Sequence, residues 1–366
     1  MSNEPGGYAL GRRPGLDGLR GVAVLLVVSG HSLGSRNSAG TVGVTLFFAL
    51  SGFLITRILV EERARTGGIN YRGFLVRRIR RLAPALAAFL VVAAVICIVN
   101  HFPLTWVVLP AVYATNLAMA AGEPVQLTGH TWSLGLEEQF YLLWPPLVML
   151  ALRRRRAPVI TLAALVLLVT MWRAVAIGLG WPYLRVGYGP DMRIDAIIAG
   201  CLLAFVADRL RHLPSAAAVW AGAVLLALCL PERLETNAAM MPLATVCAAV
   251  VVAVAASRTP RVLALGPLTR LGGISYGVYL WHAPAAMARP HGLVMLPVVL
   301  TVSIAIAALS WRLVEARFLT YKVPHDVSLD SSASSTQPSA PASPQEGKPA
   351  VPARSRIEGA ITREHS

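Results

Sequence analysis

The amino-acid sequence predicts an all-α fold: a polytopic transmembrane helix bundle of about ten spans with one re-entrant segment and cytoplasmic N- and C-termini. Three observations predict it. Of the 366 residues, 55% are hydrophobic and only 14% charged, whereas an average soluble domain carries roughly 25% charged residues. Long apolar runs recur over residues 19–313, so the membrane signal is distributed along the chain and is not a single anchor. The arginines gather in short stretches between those runs, the distribution that marks cytoplasmic loops.

Spans are expected at 18–34, 42–60, 82–101, 132–152, 158–179, 193–208, 216–231, 240–257, 274–289 and 294–313. Several are shorter than the roughly 20 residues a spanning helix prefers. A polar, Gly/Pro-rich lead precedes the first run and no small-residue cleavage site follows it, so the run reads as a membrane helix and not as a removable signal peptide. Arg12 and Arg13 place the N-terminus inside, and the expected loop 57–81, with Arg57, Arg63, Arg65, Arg72, Arg77, Arg78, Arg80 and Arg81, lies on the same side. Residues 104–121 interrupt the alternation. If they spanned, the four arginines of 153–156 would emerge outside, so the segment, with Pro110 and Asn116, is read as re-entrant or lying on the membrane surface. A disordered lead (1–15), a membrane domain (16–322) and a disordered Ser/Pro/Ala-rich tail (323–366) complete the expected organisation.

The net charge of +15 is accounted for by these loops, which makes it a topology signal and excludes nucleic acid as the partner. Cys97, Cys201, Cys229 and Cys247 each lie inside an apolar run and read as small hydrophobes. With no Cys/His cluster at metal spacing and no phosphate-cradling glycine loop, neither a metal nor a tightly bound cofactor is expected.

Polar groups inside the apolar runs are the candidates for chemistry. In "LDGLRGVAVLLVVSGH" Arg20 and His31 stand eleven residues apart, hence on nearly one helix face and roughly 16 Å apart along the axis. A topology anchor and an interfacial helix-end residue would explain the same pair. In "GHTWSLGLEEQFYLLWPP" Glu137 and Glu138 lie two turns into an apolar helix, where an ionised carboxylate is costly unless it faces a partner or a wet cavity. Stabilisation of a helix start is the alternative. His130 precedes Glu137 by seven residues, almost on the same face. The topology brings His31 and His130 to the outer face with the glutamates just below, and a histidine beside a carboxylate suits general-base chemistry on a hydroxyl. No serine sits in a nucleophile-elbow setting, so direct attack by an acceptor hydroxyl is expected over a serine acyl-enzyme.

Three further groups leave alternatives open. His282 in "SYGVYLWHAP" reads as either a site residue or part of an interfacial Trp-His pair. Arg193 and Asp195 in "GPDMRIDAIIAG" either meet substrate or pair across helices. Arg77, Arg78, Arg80 and Arg81 in "RRIRRLAP" could grip a phosphorylated ligand, bind anionic lipid or simply enforce topology.

Taken in order, "LDGLRGVAVLLVVSGH", "VGVTLFFALSGFLITRIL", "FLVRRIRRLAPAL", "HTWSLGLEEQFYLLWP", "RIDAIIAGCLLA", "LGGISYGVYLWHAP" and "WRLVEARF" resemble the acyltransferase 3 family of polytopic inner-membrane O-acyltransferases, over about residues 15–319. The resemblance implies transfer of an acyl group, commonly acetyl, from cytoplasmic acyl-CoA to a hydroxyl of a glycan, a lipid-linked sugar or a similar acceptor. Arg20 and His31 match the family's Arg-x10-His pair, Arg77/Arg80 or Arg78/Arg81 its RxxR, and Glu137 and Glu138 the acids of its Trp-Ser-Leu motif. Relatives acting on surface polysaccharide often carry a C-terminal hydrolase-like domain, where this sequence continues into the tail.

The expected site therefore has His31, Glu137 and Glu138 as catalytic residues, with a glutamate supporting His31, and Arg20, Arg77, Arg78, Arg80 and Arg81 on acyl-CoA. Asp17, His130, Ser133, Tyr141, Arg193, Asp195 and His282 are the acceptor-binding or supporting set. Acyl-CoA serves as a donor substrate, acetyl-CoA the favoured one. The expected partners are a hydroxylated glycan or glycoside acceptor and the bilayer, with a homodimer admitted, and the expected location is the inner (plasma) membrane. Intramembrane Arg, Glu and His also mark transport paths, so a transporter or flippase of an acylated or lipid-linked substrate is the rival reading. A scaffold presenting the tail is a weaker third.

Overall fold

The computed structural model describes residues 13–34, 37–152, 157–287 and 292–319, and these form helices with no strand among them. The tail, most of the lead and the arginines of 153–156 lie outside the described residues. Helix α1 (Pro14–Ser32) begins inside the stretch expected to be lead. Pro14 and Gly15 form its first turn because proline's fixed φ suits the first helical position, where no N–H is needed.

The next two helices are longer than expected. Helices α2 (Ala39–Thr66) and α3 (Tyr71–Val99) take up most of the expected arginine-rich loop and leave only a tight connection. Gly67, at φ 75°, ends α2 with its N–H on the Arg63 carbonyl, a left-handed cap that costs glycine little. Asn70 then caps α3 by accepting from the Gly73 N–H at 2.8 Å, and its own N–H donates to Glu62 at 3.0 Å. The cluster 77–81 is consequently helical, and its side chains are sorted by helix face.

Residues 104–121 fold as two short helices, α4 (Thr105–Ala111) and α5 (Thr115–Ala120), neither long enough to span a membrane. A 3-10 turn (Gly129–Thr131) leads into α6 (Trp132–Ala151). Then follow α7 (Ala157–Gly178), α8 (Tyr183–Tyr188), α9 (Pro190–Arg193), α10 (Asp195–Leu210), α11 (Ser215–Ala227), α12 (Met240–Arg258), α13 (Gly266–Gly273), α14 (Ser275–Met287) and α15 (Leu296–Ser310). A π-helical turn (Trp311–Glu315) and the short α16 (Ala316–Leu319) close the described chain.

Each of the ten expected apolar segments coincides with a helix, but among the described residues five helices are long and apolar enough to cross a membrane on their own composition: α2, α3, α7, α12 and α15 with the turns after it. Helices α1 and α6 reach 19 and 20 residues but carry the polar groups described below, while α10, α11 and α14, at 16, 13 and 13 residues, are short. Exposed Val91, Val95 and Ile98 on α3 and Ile160, Leu167 and Leu168 on α7 give the bundle an apolar exterior, as a lipid-facing surface requires.

At the centre, α1 packs against α2, α12, α13, α14 and α15, and α2 packs against α10. The α2/α10 seam is closed by reciprocal glycines. A Cβ on Gly52 would collide with the Ile197 carbonyl, and one on Gly200 with the Ala49 carbonyl. Small residues let helix backbones meet where hydrocarbon supplies little drive for association. Gly52→Leu is expected to separate α2 from α10, so that detergent-solubilised protein elutes as aggregate with a collapsed melting transition. A monodisperse variant melting within a few degrees of the parent would show that the seam tolerates a side chain.

Candidate active site

Helix α1 carries the two ends of the site. Arg20 lies near its start and His31 in its last turn, with Val24, Val27 and Val28 buried between them. The neighbouring helices complete two different environments, one at each end.

At the Arg20 end, α1, α2, α3, α6 and α14 enclose a cavity of about 940 Å³ counted out to its mouth. Arg20, Arg78 and Arg81 line it together with Glu137, Glu138 and Tyr141. Of the two overlapping RxxR registers, only Arg78 and Arg81 face this cavity. Arg77 is exposed and sits 3.8 Å from Glu62, and Arg80 is likewise absent from the lining. The guanidinium of Arg78 lies 3.4 Å from the Tyr141 ring centroid and its Nε 4.0 Å from Glu138. Glu137 accepts from Ser51 at 2.8 Å and from Tyr141 at 3.3 Å. Asp17 is 3.5 Å from Arg20. Three cations and two acids thus share a recess whose remaining lining mixes apolar side chains, such as Val44, Phe47 and Ile55, with serines and tyrosines.

The His31 end is built from histidine. The His31 and His282 ring centroids are 4.8 Å apart, and those of His282 and His130 are 5.2 Å apart, both edge-on. His282 and His130 are buried, whereas His31 is exposed. The tautomers follow from the partners. His282 Nδ1 lies 2.6 Å from the Tyr279 carbonyl, which can only accept, so Nδ1 carries the proton and Nε2 the lone pair. That lone pair lies 3.3 Å from His31 Nδ1, which is also 3.0 Å from the Val27 carbonyl. Two acceptors fix the proton of His31 on Nδ1, so the basic lone pair is on Nε2. His130 comes from the 3-10 turn, held by Thr131 to the Thr128 carbonyl at 2.7 Å and to Thr115 at 3.0 Å. The Leu280 carbonyl lies near its ring, but neither ring nitrogen has a partner in hydrogen-bonding geometry.

The glutamates do not stand where the sequence suggested. Glu137 and Glu138 belong to the arginine cavity, and the ring set against His31 is that of His282. The reason is the helical rise: seven residues of helix between His130 and Glu137 carry the carboxylates about 10 Å down the axis. Tyr279 joins the two ends. Its hydroxyl donates to the His130 carbonyl at 2.6 Å and accepts from Ser133 at 2.5 Å, while its ring lines the arginine cavity.

Arg193 and Asp195 lie outside both ends. Asp195 is fully buried, paired with Arg173 of α7 at 3.1 Å and accepting from Thr245 of α12 at 3.0 Å. Arg173 also donates to the Met192 carbonyl at 2.7 Å. Arg193 reaches the Met241 sulfur at 3.4 Å and packs over Trp132. These contacts tie α7, α10 and α12 together.

A family model described as an acyltransferase domain, that of the acyltransferase 3 family, matches residues 13–312. The chain belongs to this family. Among curated relatives, YrhL of Bacillus subtilis strain 168 is 34% identical over 309 residues, covering 74% of this chain and 48% of its own. The peptidoglycan O-acetyltransferase OatA of Listeria monocytogenes serovar 1/2a is 30% identical over 304 residues, covering 74% and 49%. The O-acetyltransferase OatA of Staphylococcus aureus strain NCTC 8325 is 29% identical over 310 residues, covering 74% and 50%. The chain spans about half the length of these relatives. No solved structure matches it.

Within this acyltransferase domain, sequence reasoning passed over Tyr279, Ser51 and Arg173. Tyr279 carries a signal, since it precedes His282 by three residues and so shares its helix face. Ser51 carries none. Arg173, a lone cation inside the apolar run of α7, could have been flagged by the cost of an unpaired intramembrane charge. Arg173→Met is expected to leave Asp195 buried and unpaired, destabilising the bundle by about 3–5 kcal/mol. Thermal unfolding in detergent would read this as a large drop in melting temperature. An unchanged transition would mean that the pair is not needed for the α7/α10 contact.

Proposed function

We propose that the chain is a multi-pass O-acyltransferase of the inner (plasma) membrane, with ten spans, residues 104–121 re-entrant and both termini cytoplasmic. It takes an acyl group, acetyl by preference, from acyl-CoA at the Arg20 end and passes it to a glycan hydroxyl at the His31 end. The observation that carries the reading is the pair of environments on α1: a cation-lined recess at one end and an exposed imidazole with an oriented lone pair at the other. Arg20, Arg78 and Arg81 suit the phosphates of a CoA ester. The narrow pantetheine arm would run between Ser133, Phe47 and Tyr279 toward His31. Family membership favours transfer over transport, and the names of the OatA relatives support a peptidoglycan sugar as the acceptor.

In the proposed step, His31 Nε2 takes the proton of the acceptor hydroxyl, and the oxygen attacks the thioester carbonyl. The carbon–sulfur bond then breaks, and the departing thiolate recovers the proton from His31. While His31 is protonated, its Nδ1–H keeps the Val27 carbonyl and the His282 lone pair as acceptors, which stabilise the imidazolium. The unpaired nitrogens of His130 suit the acceptor sugar. The carboxylates of Glu137 and Glu138 hold Ser51, Tyr141 and Arg78 in place around the donor.

The test is transfer of radiolabelled acetyl from acetyl-CoA to a soluble peptidoglycan fragment by the purified protein. His31→Ala is expected to lower kcat/KM by about 10²–10⁴-fold, the usual contribution of a general base, with unchanged elution and melting. Retention of normal transfer would refute the assignment. In His282→Phe, which lacks the acceptor that stabilises the imidazolium, kcat should drop while the KM for acetyl-CoA stays near that of the parent. Arg78→Ala should raise the KM for acetyl-CoA roughly 10–100-fold, as loss of a charge-assisted contact predicts.

A further inference from the structure

A second cavity opens beside the donor recess, between α3, α14 and the π-helical turn. It measures about 590 Å³ counted out to its mouth, within the range of roughly 300–1,000 Å³ typical of ligand pockets. Arg81, Leu82, Ser275 and Tyr276 line both cavities, so the two are separated by the thickness of these side chains. The Tyr276 hydroxyl fastens this wall by donating to the Leu82 carbonyl at 3.2 Å. The far wall is the turn itself, which contributes Trp311 and Glu315.

That turn is unusual. Single π-helical turns cost hydrogen-bond geometry and occur frequently at functional sites. This one carries Glu315, a buried carboxylate, to the edge of the cavity, where Ser310 donates to it at 3.3 Å and Arg81 lies within electrostatic reach. Gly273 keeps the opposite wall low, since a Cβ on it would meet nothing within 4 Å. An indole and a carboxylate that the family's Arg-x10-His and RxxR motifs do not account for therefore share one space with Arg81, the second arginine of the RxxR pair that faces the recess.

We infer that this cavity takes the phosphorylated adenine end of the acyl-CoA donor. The indole of Trp311 offers a π-face to a base, the Glu315 carboxylate accepts from an exocyclic amine, and Arg81, in the shared wall, meets phosphate. With the Arg81 side chain swung aside, the diphosphate would meet Arg20 and Arg78 in the adjoining recess and the pantetheine arm would run on toward His31. A lipid headgroup would use Arg81 but would leave the indole and the carboxylate without a role. The assignment rests on acyl-CoA being the donor.

The full-length protein in detergent provides the test, with labelled acetyl-CoA binding measured in competition with adenosine 3′,5′-bisphosphate, and transfer measured from both acetyl-CoA and S-acetylpantetheine. Gly273→Phe, which grows into open space, and Trp311→Ala should each weaken acetyl-CoA binding about tenfold or more, as loss of base stacking predicts. Both should abolish competition by the bisphosphate and leave transfer from S-acetylpantetheine within about twofold of the parent. Trp311→Phe should restore most of the binding, which separates stacking from a packing defect. Parental acetyl-CoA affinity in Gly273→Phe, or an equal loss of S-acetylpantetheine turnover, would overturn the inference while leaving the donor reading intact. Displacement of acetyl-CoA from the parent by phosphatidylglycerol micelles but not by the bisphosphate would also overturn it, in favour of a lipid headgroup. A parent protein that neither binds acetyl-CoA nor transfers from it would instead remove the donor reading, and this inference with it.

Discussion

A polar side chain in an apolar helix has to find its partner inside the bundle, because hydrocarbon offers none. That constraint organises this molecule more than any apolar contact does. Arg173 is held by Asp195 and the Met192 carbonyl, Arg78 by Glu138 and the face of Tyr141, Glu137 by Ser51 and Tyr141, and His282 by Tyr279 and His31. Each set joins helices that are distant in sequence, so satisfying the polar groups also fixes the packing. The apolar residues between them are more interchangeable, since lipid tails are as apolar as leucine.

The same constraint separates two chemistries along one helix. Cations and carboxylates collect at the Arg20 end, where they neutralise one another around a recess. Imidazoles, which can be buried neutral, collect at the His31 end. Val24, Val27 and Val28 insulate the two. The proposed donor, long and flexible with a charged head and a reactive tip, would fit such a division, its phosphates staying at one end while the thioester reaches the other. Tyr279 bridges the ends, with its ring in the recess and its hydroxyl on the turn that carries His130. The π-helical turn extends the charged end by a second chamber, sharing Arg81 with the first.

Much of this was legible in the sequence for a definite reason. A charge within an apolar run is costly enough to be noticed, and Arg20, His31, His130, Glu137 and Glu138 were found in that way. Hydropathy located the helices but misjudged the 57–81 stretch, because charged residues suit the exposed ends of long helices as well as loops. It gave about ten spans, whereas five helices among the described residues are long and apolar enough on composition alone, since α1 and α6 lower their own apolar signal with the groups they bring to the site. Ser51 was hidden among similar residues, as one serine in an apolar helix looks like another until its partner is known.

The sequence by itself determined the family, the all-helical class and the polar residues from which the site is drawn, because motif order, hydropathy and the cost of intramembrane charge are all local properties. Tertiary structure alone decided how those residues are grouped. It selected Arg78 and Arg81 over Arg77 and Arg80 by helix face, set His282 and not a glutamate against His31, and gave Arg193 and Asp195 to the frame with an unforeseen Arg173. The physical reason is that helical periodicity places a side chain on a face and at a height, whereas its partner depends on which other helix meets that face there. Close glycine contacts such as Gly52 on Ile197 and Gly200 on Ala49, which no local pattern encodes, help to make that choice.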